Sequence, residues 1–195
     1  MEDYAFVLDY LPQGRPDDPR GRKDPVAYGL GERRFVLLEL VPIPGQTFTV
    51  GERVYLGRDP GVPRKIDHVR GRVRHEQMTH NAQSELRFVI MELVRQNETR
   101  FVAFFNEAGP ITTRMHMLEL LPGLGKKLMW AIVEERKRGP FKSLKDMDDR
   151  VKALHQPEKL IATRIETEIV DPNQKYHLFV LPPAPEEPHG HHGRR

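Results

Sequence analysis

Apolar residues recur at two different spacings along the chain, and the change of spacing divides it into two parts. In the first part, short apolar runs predict strands at Tyr4 to Leu11, at Phe35 to Val41 and over residues 47–57. Between the first two runs, residues 12–25 contain four prolines and two glycines, which predicts a long exposed loop.

A further strand is predicted over residues 67–75, where basic and small apolar residues alternate. Arg70, Arg72 and Arg74 fall on one face of such a strand, because successive side chains point to opposite sides. Arg58 to Arg74 contains six Lys or Arg against two Asp, so positive charge is concentrated here. The arginines predict either a basic binding face or an ordinary solvated face of the sheet.

One helix interrupts this strand-rich part. Apolar residues at helical spacing predict an amphipathic helix over residues 79–97, with Thr79 or Asn81 as its N-cap. Residues 100–105, RFVAFF, are rich in aromatic and β-branched residues and predict another strand. Five or so short strands with one helix within residues 1–108 predict a small β-barrel of the OB kind.

From residue 109 the apolar spacing becomes helical. Leu118 and Leu121 share one apolar face, and Leu128 and Ile132 continue the pattern after a glycine-containing turn. The same spacing resumes through Leu154, so residues 109–171 predict an all-α domain. Residues 175–181, KYHLFVL, predict a possible strand returning to the barrel, and the composition of residues 182–195, PPAPEEPHGHHGRR, predicts a disordered tail within the segment 172–195.

Composition narrows the function classes. We expect an α+β chain of two small domains, since 195 residues suffice for both. The absence of cysteine excludes disulfides, thiolate zinc sites, iron–sulfur clusters and cysteine nucleophiles. No apolar run of about 18 residues occurs, and the N-terminus lacks a signal-peptide pattern. We therefore expect a cytoplasmic protein without a membrane partner. The net charge of +3 is small, so only the distribution of charge bears on a nucleic-acid partner.

The segment LPGLGKK combines a flexible turn with positive charge. Gly123 and Gly125, on either side of Leu124, allow positive φ angles and the close approach of a ligand to the backbone. The amides of Gly125, Lys126 and Lys127 open a helix, and backbone donors at a helix N-terminus bind phosphate. The alternative is that the glycines merely close a tight helix corner. The full pattern favours a phosphate contact.

This segment resembles the hairpin of the helix-hairpin-helix family, whose members hold nucleic-acid backbones without reading their sequence. The match extends from Leu121 to Ile132, and RGPFKSLKDM resembles the segment that follows such hairpins. A weaker copy lies 33 residues further on, with Leu154 at the position of Leu121, but HQPEK replaces PGLGK. Having lost both glycines, the second hairpin is expected to support packing and not to bind phosphate well.

Two catalytic alternatives match only part of the pattern that each requires. Some helix-hairpin-helix proteins are DNA glycosylases with a catalytic lysine at the position of Lys127, which would make Asp146, Asp148 or Asp149 the candidate partner. The other segments typical of those enzymes are missing, so a non-catalytic lysine is the preferred interpretation. His75 and His80 in HEQMTH are five residues apart, about 140° around a helix, and do not match a zinc-binding pair.

Over most of its length the sequence is similar to an uncharacterised archaeal family that joins an OB-like barrel to a helix-hairpin-helix module. EDYAFVLDYLPQGRPDD, TVGERVYLG, SELRFVIMELV and FFNEAGPITTRMHMLELLPGLGKK carry the resemblance. The resemblance implies this architecture and says little about the biological role. From the hairpin together with Arg70, Arg72 and Arg74 we expect a non-enzymatic protein that binds the backbone of RNA, or less favourably DNA, with no metal or cofactor. The alternative from another class is an adaptor that docks on ribosomal or repair machinery through protein contacts.

Overall fold

The computed structural model describes residues 2–16, 21 and 23–182 of the chain. This part contains strands β1 (Tyr4–Leu11), β2 (Val26–Gly31), β3 (Leu37–Pro42), β4 (Arg53–Tyr55), β5 (Ile66–Arg72), β6 (Pro110–Thr112) and β7 (Met115–His116). Its helices are α1 (His80–Gln96), α2 (Glu98–Glu107), α3 (Lys126–Lys137), α4 (Leu144–Arg150) and α5 (Pro157–Val170). Short 3₁₀ helices span His75–Gln77 and Met117–Leu120. The predicted α+β class is confirmed.

Strands β1 to β5 form one antiparallel sheet in the order β4-β1-β2-β3-β5. The register shifts between Val7 and Asp9 on β1, and twice in the pairing of β3 with β5. Such bulges increase the local twist of a strand. The sheet curls into a half-barrel, and among the described residues its edge strands β4 and β5 do not pair with each other.

Both faces of the sheet are buried, and alternate residues of β1 show why. Phe6 and Leu8 pack in a large cluster with the helices, whereas Ala5 and Val7 belong to a second cluster with Val54 of β4. That second cluster also contains Ile66 of β5, so residues from both edges meet in it. The face that carries Ala5 and Val7 is therefore the inside of the curl.

Helix α1 has the bounds that the sequence predicts. The side chain of Thr79 accepts a hydrogen bond from the amide of Ala82 at 3.1 Å and caps the helix. All six apolar residues of the predicted helical face are buried: Ala82, Leu86, Val89, Ile90, Leu93 and Val94. Helix α1 packs on the sheet with this face and also contacts α5.

The strand predicted over residues 100–105 is wrong, because this segment lies inside α2. Phe101, Val102 and Phe105 are buried together on one helical face. The aromatic and β-branched residues that favour a strand locally are used here to fill the core below the sheet. Tertiary packing overrides the local preference.

The helix predicted through residues 115–121 is replaced by a two-stranded hairpin and a 3₁₀ helix. Strands β6 and β7 pair with each other, and the 3₁₀ helix Met117–Leu120 follows directly. Leu118 and Leu121 are buried as predicted. Their three-residue separation suits a 3₁₀ turn as well as an α-helix.

Residues 175–181 do not form the strand proposed for them. The amides of Leu178, Phe179 and Val180 all donate to the carboxylate of Glu168 at 2.7 to 3.0 Å. Amides bound to a side chain are not available to a strand ladder. The segment still reaches the turn between β2 and β3, where the amide of Leu181 donates to the carbonyl of Arg34 at 3.0 Å.

The division at residues 108 and 109 stays a prediction. The larger hydrophobic cluster contains side chains from both sides of that boundary, among them Leu86 and Phe101 on one side and Leu124 and Ile165 on the other. Apolar burial therefore continues across it. The predicted tail, residues 182–195, lies outside the described residues except for Pro182, and residue 1 lies outside them too.

Candidate nucleic-acid interface

The predicted hairpin is a tight turn anchored by leucines. The amide of Leu124 donates to the carbonyl of Leu121 at 3.1 Å, and both side chains are 2% exposed. Gly123 lies at the solvent side of the turn with φ of +77°, a conformation that residues with a Cβ rarely adopt. The leucines thus hold the turn on the core while its backbone faces outward.

Gly125 is the N-cap of α3, and its own conformation does not require glycine. Its φ of −78° and ψ of 174° suit any residue, and a Cβ placed there would have no neighbouring atom within 4 Å. The amides at the start of α3 have no partner within the helix. The missing side chain leaves these donors open to an approaching anion.

Two lysines and a tryptophan surround this helix terminus. Lys126 and Lys127 are exposed in the first turn of α3, which contains no acidic residue. Trp130 lies four residues after Lys126 and three after Lys127, which is the spacing of neighbours on a helix surface. It is 57% exposed. Trp130 is not among the residues predicted from the sequence, although its spacing from the lysines is visible there.

A buried ion pair on α5 supports the hairpin from below. Arg164 and Glu168 pair at 2.7 Å, and their side chains are almost completely buried. Arg164 also donates to the carbonyls of Leu120, at 3.3 Å, and Tyr176. One guanidinium therefore connects the segment before the hairpin to the C-terminal segment. Arg and Glu four residues apart suggest a surface pair, so the sequence did not reveal this role.

His116 caps the 3₁₀ helix Met117–Leu120, which leads into the hairpin. Its Nδ1 accepts a hydrogen bond from the amide of Leu118 at 3.1 Å, and its own amide donates to Glu119 at 2.8 Å. Burial, together with the nearby charge of Arg136, lowers the pKa of His116 from its ordinary value of 6.5. The neutral ring, which accepts at Nδ1, is the form that caps this turn.

The second hairpin repeats the turn but not its chemistry. The amide of Leu154 donates to the carbonyl of Val151 at 2.8 Å, the bond that Leu124 and Leu121 make in the first hairpin. Val151, not Leu154, therefore holds the position in the second turn that Leu121 holds in the first, which corrects the predicted register. Helix α5 begins with an N-cap at Gln156 and has Glu158 in its first turn. An acidic first turn disfavours a bound phosphate.

The aspartates proposed as catalytic partners have other contacts. Asp146 pairs with Arg150 at 3.2 Å and accepts a hydrogen bond from the amide of Lys142 at 3.0 Å, which, with Arg150, lowers its pKa. Asp149 pairs with Lys145 at 2.6 Å. Asp148 accepts from the amide of Gln156 at 3.3 Å. Each carboxylate is thus engaged near its own helix.

The arginines of β5 do not form the regular ladder that the alternation predicts. Residues 67 and 70 have no partner on β3, so two bulges interrupt the period of two, and Val69 is 39% exposed. Arg70 forms an ion pair with the buried carboxylate of Glu39, which Arg15 also contacts at 3.3 Å. Arg70 is therefore engaged within the fold, by a carboxylate that it shares with Arg15.

Arg72 and Arg74 occupy a different place from the hairpin. Both line a cleft of about 440 Å³ beside the C-terminal segment, whose described lining residues include none of residues 121–127. Arg72 donates to the carbonyl of Pro182 at 3.3 Å. The structure thus brings Gly123, Leu124, Gly125, Lys126 and Lys127 together at one turn, and none of them lines the cleft that contains Arg72 and Arg74. A role of these arginines in binding stays a prediction.

Two further observations concern metals and membranes. Within residues 2–16, 21 and 23–182, no three His, Asp or Glu side chains are grouped so that they would hold a metal ion. In the same part of the chain, no helix combines the length and apolar character needed to cross a membrane.

Comparison with known proteins places the chain among archaeal relatives. A model of the family described as "Protein of unknown function (DUF655)" matches residues 1–181. The uncharacterized protein MJ0038 of Methanocaldococcus jannaschii is 51% identical over 181 residues, covering 92% of this chain and 80% of that protein. The crystal structure of Af1531 from Archaeoglobus fulgidus superimposes with a TM-score of 0.84 at 49% identity, covering 92% of this chain and all of that one. The resemblance to an uncharacterised archaeal family is confirmed.

Proposed function

The chain belongs to the DUF655 family of uncharacterised archaeal proteins, and from this premise we propose that it binds nucleic acid without catalysing a reaction on it. In this proposal residues 109–171 act as a helix-hairpin-helix module whose first hairpin holds the phosphate backbone. The half-barrel acts as an OB-like module that contacts an adjacent segment. RNA is the favoured target, with DNA as the alternative.

The observation that carries the proposal is the open N-terminus of α3. Gly125 leaves the first amides uncovered, although its φ and ψ and the space around it would accept a side chain. Lys126 and Lys127 add two positive charges beside those amides. Backbone donors, a positive helix dipole and two ammonium groups together form a site for one phosphate or two neighbouring ones.

Trp130 gives the site a second kind of contact and a built-in reporter. An exposed indole beside phosphate-binding groups can stack on a base or a sugar. It is the single tryptophan of the chain, so a change in its emission on binding reports from α3 and from nowhere else.

The test compares two pairs of lysines on equivalent hairpins. Lys126→Ala with Lys127→Ala should weaken binding of single-stranded and duplex RNA and DNA, measured by fluorescence anisotropy and Trp130 emission. The slope of log K against log salt should fall by about 1.8 on duplex and about 1.4 on single strands, for two phosphate contacts. Lys152→Ala with Lys159→Ala removes the same charge from the second hairpin, where both side chains are exposed, and should change binding little.

Four results would contradict the proposal. The wild-type protein binding none of these nucleic acids at low salt would refute it outright. Equal losses in both lysine pairs would mean that net charge, not the first hairpin, governs binding. A covalent adduct of Lys127 trapped by borohydride on abasic DNA would show a lyase, as some helix-hairpin-helix enzymes are. If the Lys126 and Lys127 variant pulls down a protein partner as well as the wild type does, and neither protein binds nucleic acid, the adaptor alternative is supported instead.

A further inference from the structure

The open side of the half-barrel contains a cleft of about 530 Å³. Its walls come from the two sheet edges: Leu56 to Arg58 follow β4 directly, and Asp67 to Arg72 belong to β5. Since β4 and β5 do not pair within the described residues, the cleft lies where a closed barrel would have its last seam. Its volume is within the range of about 300 to 1,000 Å³ typical of ligand sites.

The floor of this cleft is apolar. Val36 and Leu38 come from the cluster inside the curl, and Leu56 packs against the same cluster. Val69 adds an apolar side chain that is 39% exposed. The bulges of β5 disturb the regular alternation there, which explains an exposed valine among charged neighbours. A flat apolar group can therefore leave water by entering between the two edges.

The rim of the cleft is positively charged. Four arginines line it and are exposed: Arg34, Arg58, Arg64 and Arg72. No side-chain carboxylate of the described residues forms an ion pair with any of these four guanidinium groups, in contrast to Arg53 and Arg70.

The two carboxylates in the cleft already have partners. Glu2 accepts hydrogen bonds from the amides of Arg33 and Arg34 at 2.9 and 2.6 Å, and Asp67 pairs with His68 at 2.8 Å. Four guanidinium groups and two carboxylates line the cleft, so the net charge that a ligand meets there is positive.

We propose that this cleft holds a single-stranded segment of nucleic acid, with a base on the apolar floor and the flanking phosphates on the arginine rim. This proposal rests on the proposed function and adds that the half-barrel selects single-stranded over duplex nucleic acid. A base stacked within a duplex cannot reach a floor between two sheet edges, whereas an unstacked base can. Guanidinium groups suit the rim because they pair with phosphates and stack on bases.

The test uses the ratio of affinities for single-stranded and duplex RNA of equal length. Arg58→Ala with Arg64→Ala should weaken single-strand binding about tenfold or more at low salt and lower its salt slope by about 1.4. Duplex binding, which the hairpin sustains, should stay within about twofold of the wild type. Arg87→Ala with Arg95→Ala removes two exposed arginines from α1 and serves as the charge-matched control.

A second variant tests the floor. Val69→Asp puts a carboxylate at an exposed position of the cleft, so the fold should tolerate it while single-strand binding falls and duplex binding persists. Unchanged single-strand binding in both cleft variants, with binding lost in the Lys126 and Lys127 variant, would overturn the cleft proposal alone. Wild-type protein that binds neither strand form would refute the proposed function itself. Polyglutamate that displaces the single strand at equal charge concentration would identify the cleft as a site for acidic protein segments and overturn the proposal.

Discussion

Replacing Gly125 by aspartate should stabilise the protein and weaken its binding of nucleic acid at the same time. The N-cap conformation of Gly125, with φ of −78° and ψ of 174°, is one that aspartate favours. A Cβ there meets no atom within 4 Å, so the side chain enters without strain. Its carboxylate would accept hydrogen bonds from the amides of the first turn, where we place the phosphate.

The two effects have different magnitudes. Exchanging glycine for aspartate at an N-cap gains a few tenths of a kcal/mol, and a negative charge at the helix N-terminus about 0.3 to 1 kcal/mol more. The total of about 0.5 to 1.5 kcal/mol should raise Tm by about 1 to 6 °C for a chain of this size. A carboxylate about 4 Å from a phosphate is repelled by about 1 to 4 kcal/mol, which corresponds to about a 5- to 1,000-fold loss of affinity.

The assay combines thermal unfolding with anisotropy on the same preparations. Gly125→Asn is the matched control, because asparagine caps a helix about as well as aspartate but carries no charge. It should stabilise the protein and weaken binding less than Gly125→Asp, with the difference shrinking as salt is raised from about 50 to about 200 mM. A stabilised Gly125→Asp variant with wild-type affinity would refute a phosphate site at this terminus. A destabilised one would refute the capping argument.

Two further predictions concern the supports of the hairpin. Glu168→Gln leaves Arg164 buried without its counter-charge and removes an anionic acceptor from three amides. It should lower the free energy of unfolding by about 3 to 5 kcal/mol, seen as a Tm lower by about 6 to 20 °C, whereas Glu166→Gln on the same helix should not. A loss of stability below about 1 kcal/mol in Glu168→Gln would contradict this prediction. The pKa of His116 is lowered in the folded state, so the unfolded state binds more protons near pH 6. The stability that this group contributes is therefore fully present above about pH 6.5 and should fall as the pH drops toward the pKa of the folded state. Urea unfolding should show this loss in the wild type and less of it in His116→Asn, whose amide oxygen replaces Nδ1; an identical pH dependence in the two proteins would refute the assignment.

Local patterns predicted the elements whose burial follows from their own periodicity. Helix α1 is an example, since Thr79 and the apolar residues from Ala82 to Val94 carry both its cap and its buried face. The hairpin is another, because the positive φ of Gly123 and the buried Leu124 are consequences of a short stretch of chain. In both, the interacting residues are close in sequence.

Patterns failed where a partner distant in sequence decides the outcome. Phe101 to Phe105 favour a strand locally, but contacts with the sheet and the C-terminal segment make them helical. Arg70 adds to the positive charge that the sequence shows along β5, but Glu39 on the neighbouring strand binds its guanidinium group. Residues 178–180 looked like a strand because nothing in their sequence shows that Glu168 binds their amides.

The sequence by itself determined the α+β class and the exposed glycine turn with its two lysines. These features depend on backbone freedom, charge and short-range periodicity, which any segment carries with it. Only the tertiary structure decided which arginines keep an uncompensated charge, where the half-barrel stays open, and how Arg164 and Glu168 hold the hairpin and the C-terminal segment together. Those features arise from pairings between residues far apart in the chain, and such pairings exist only once the core has formed.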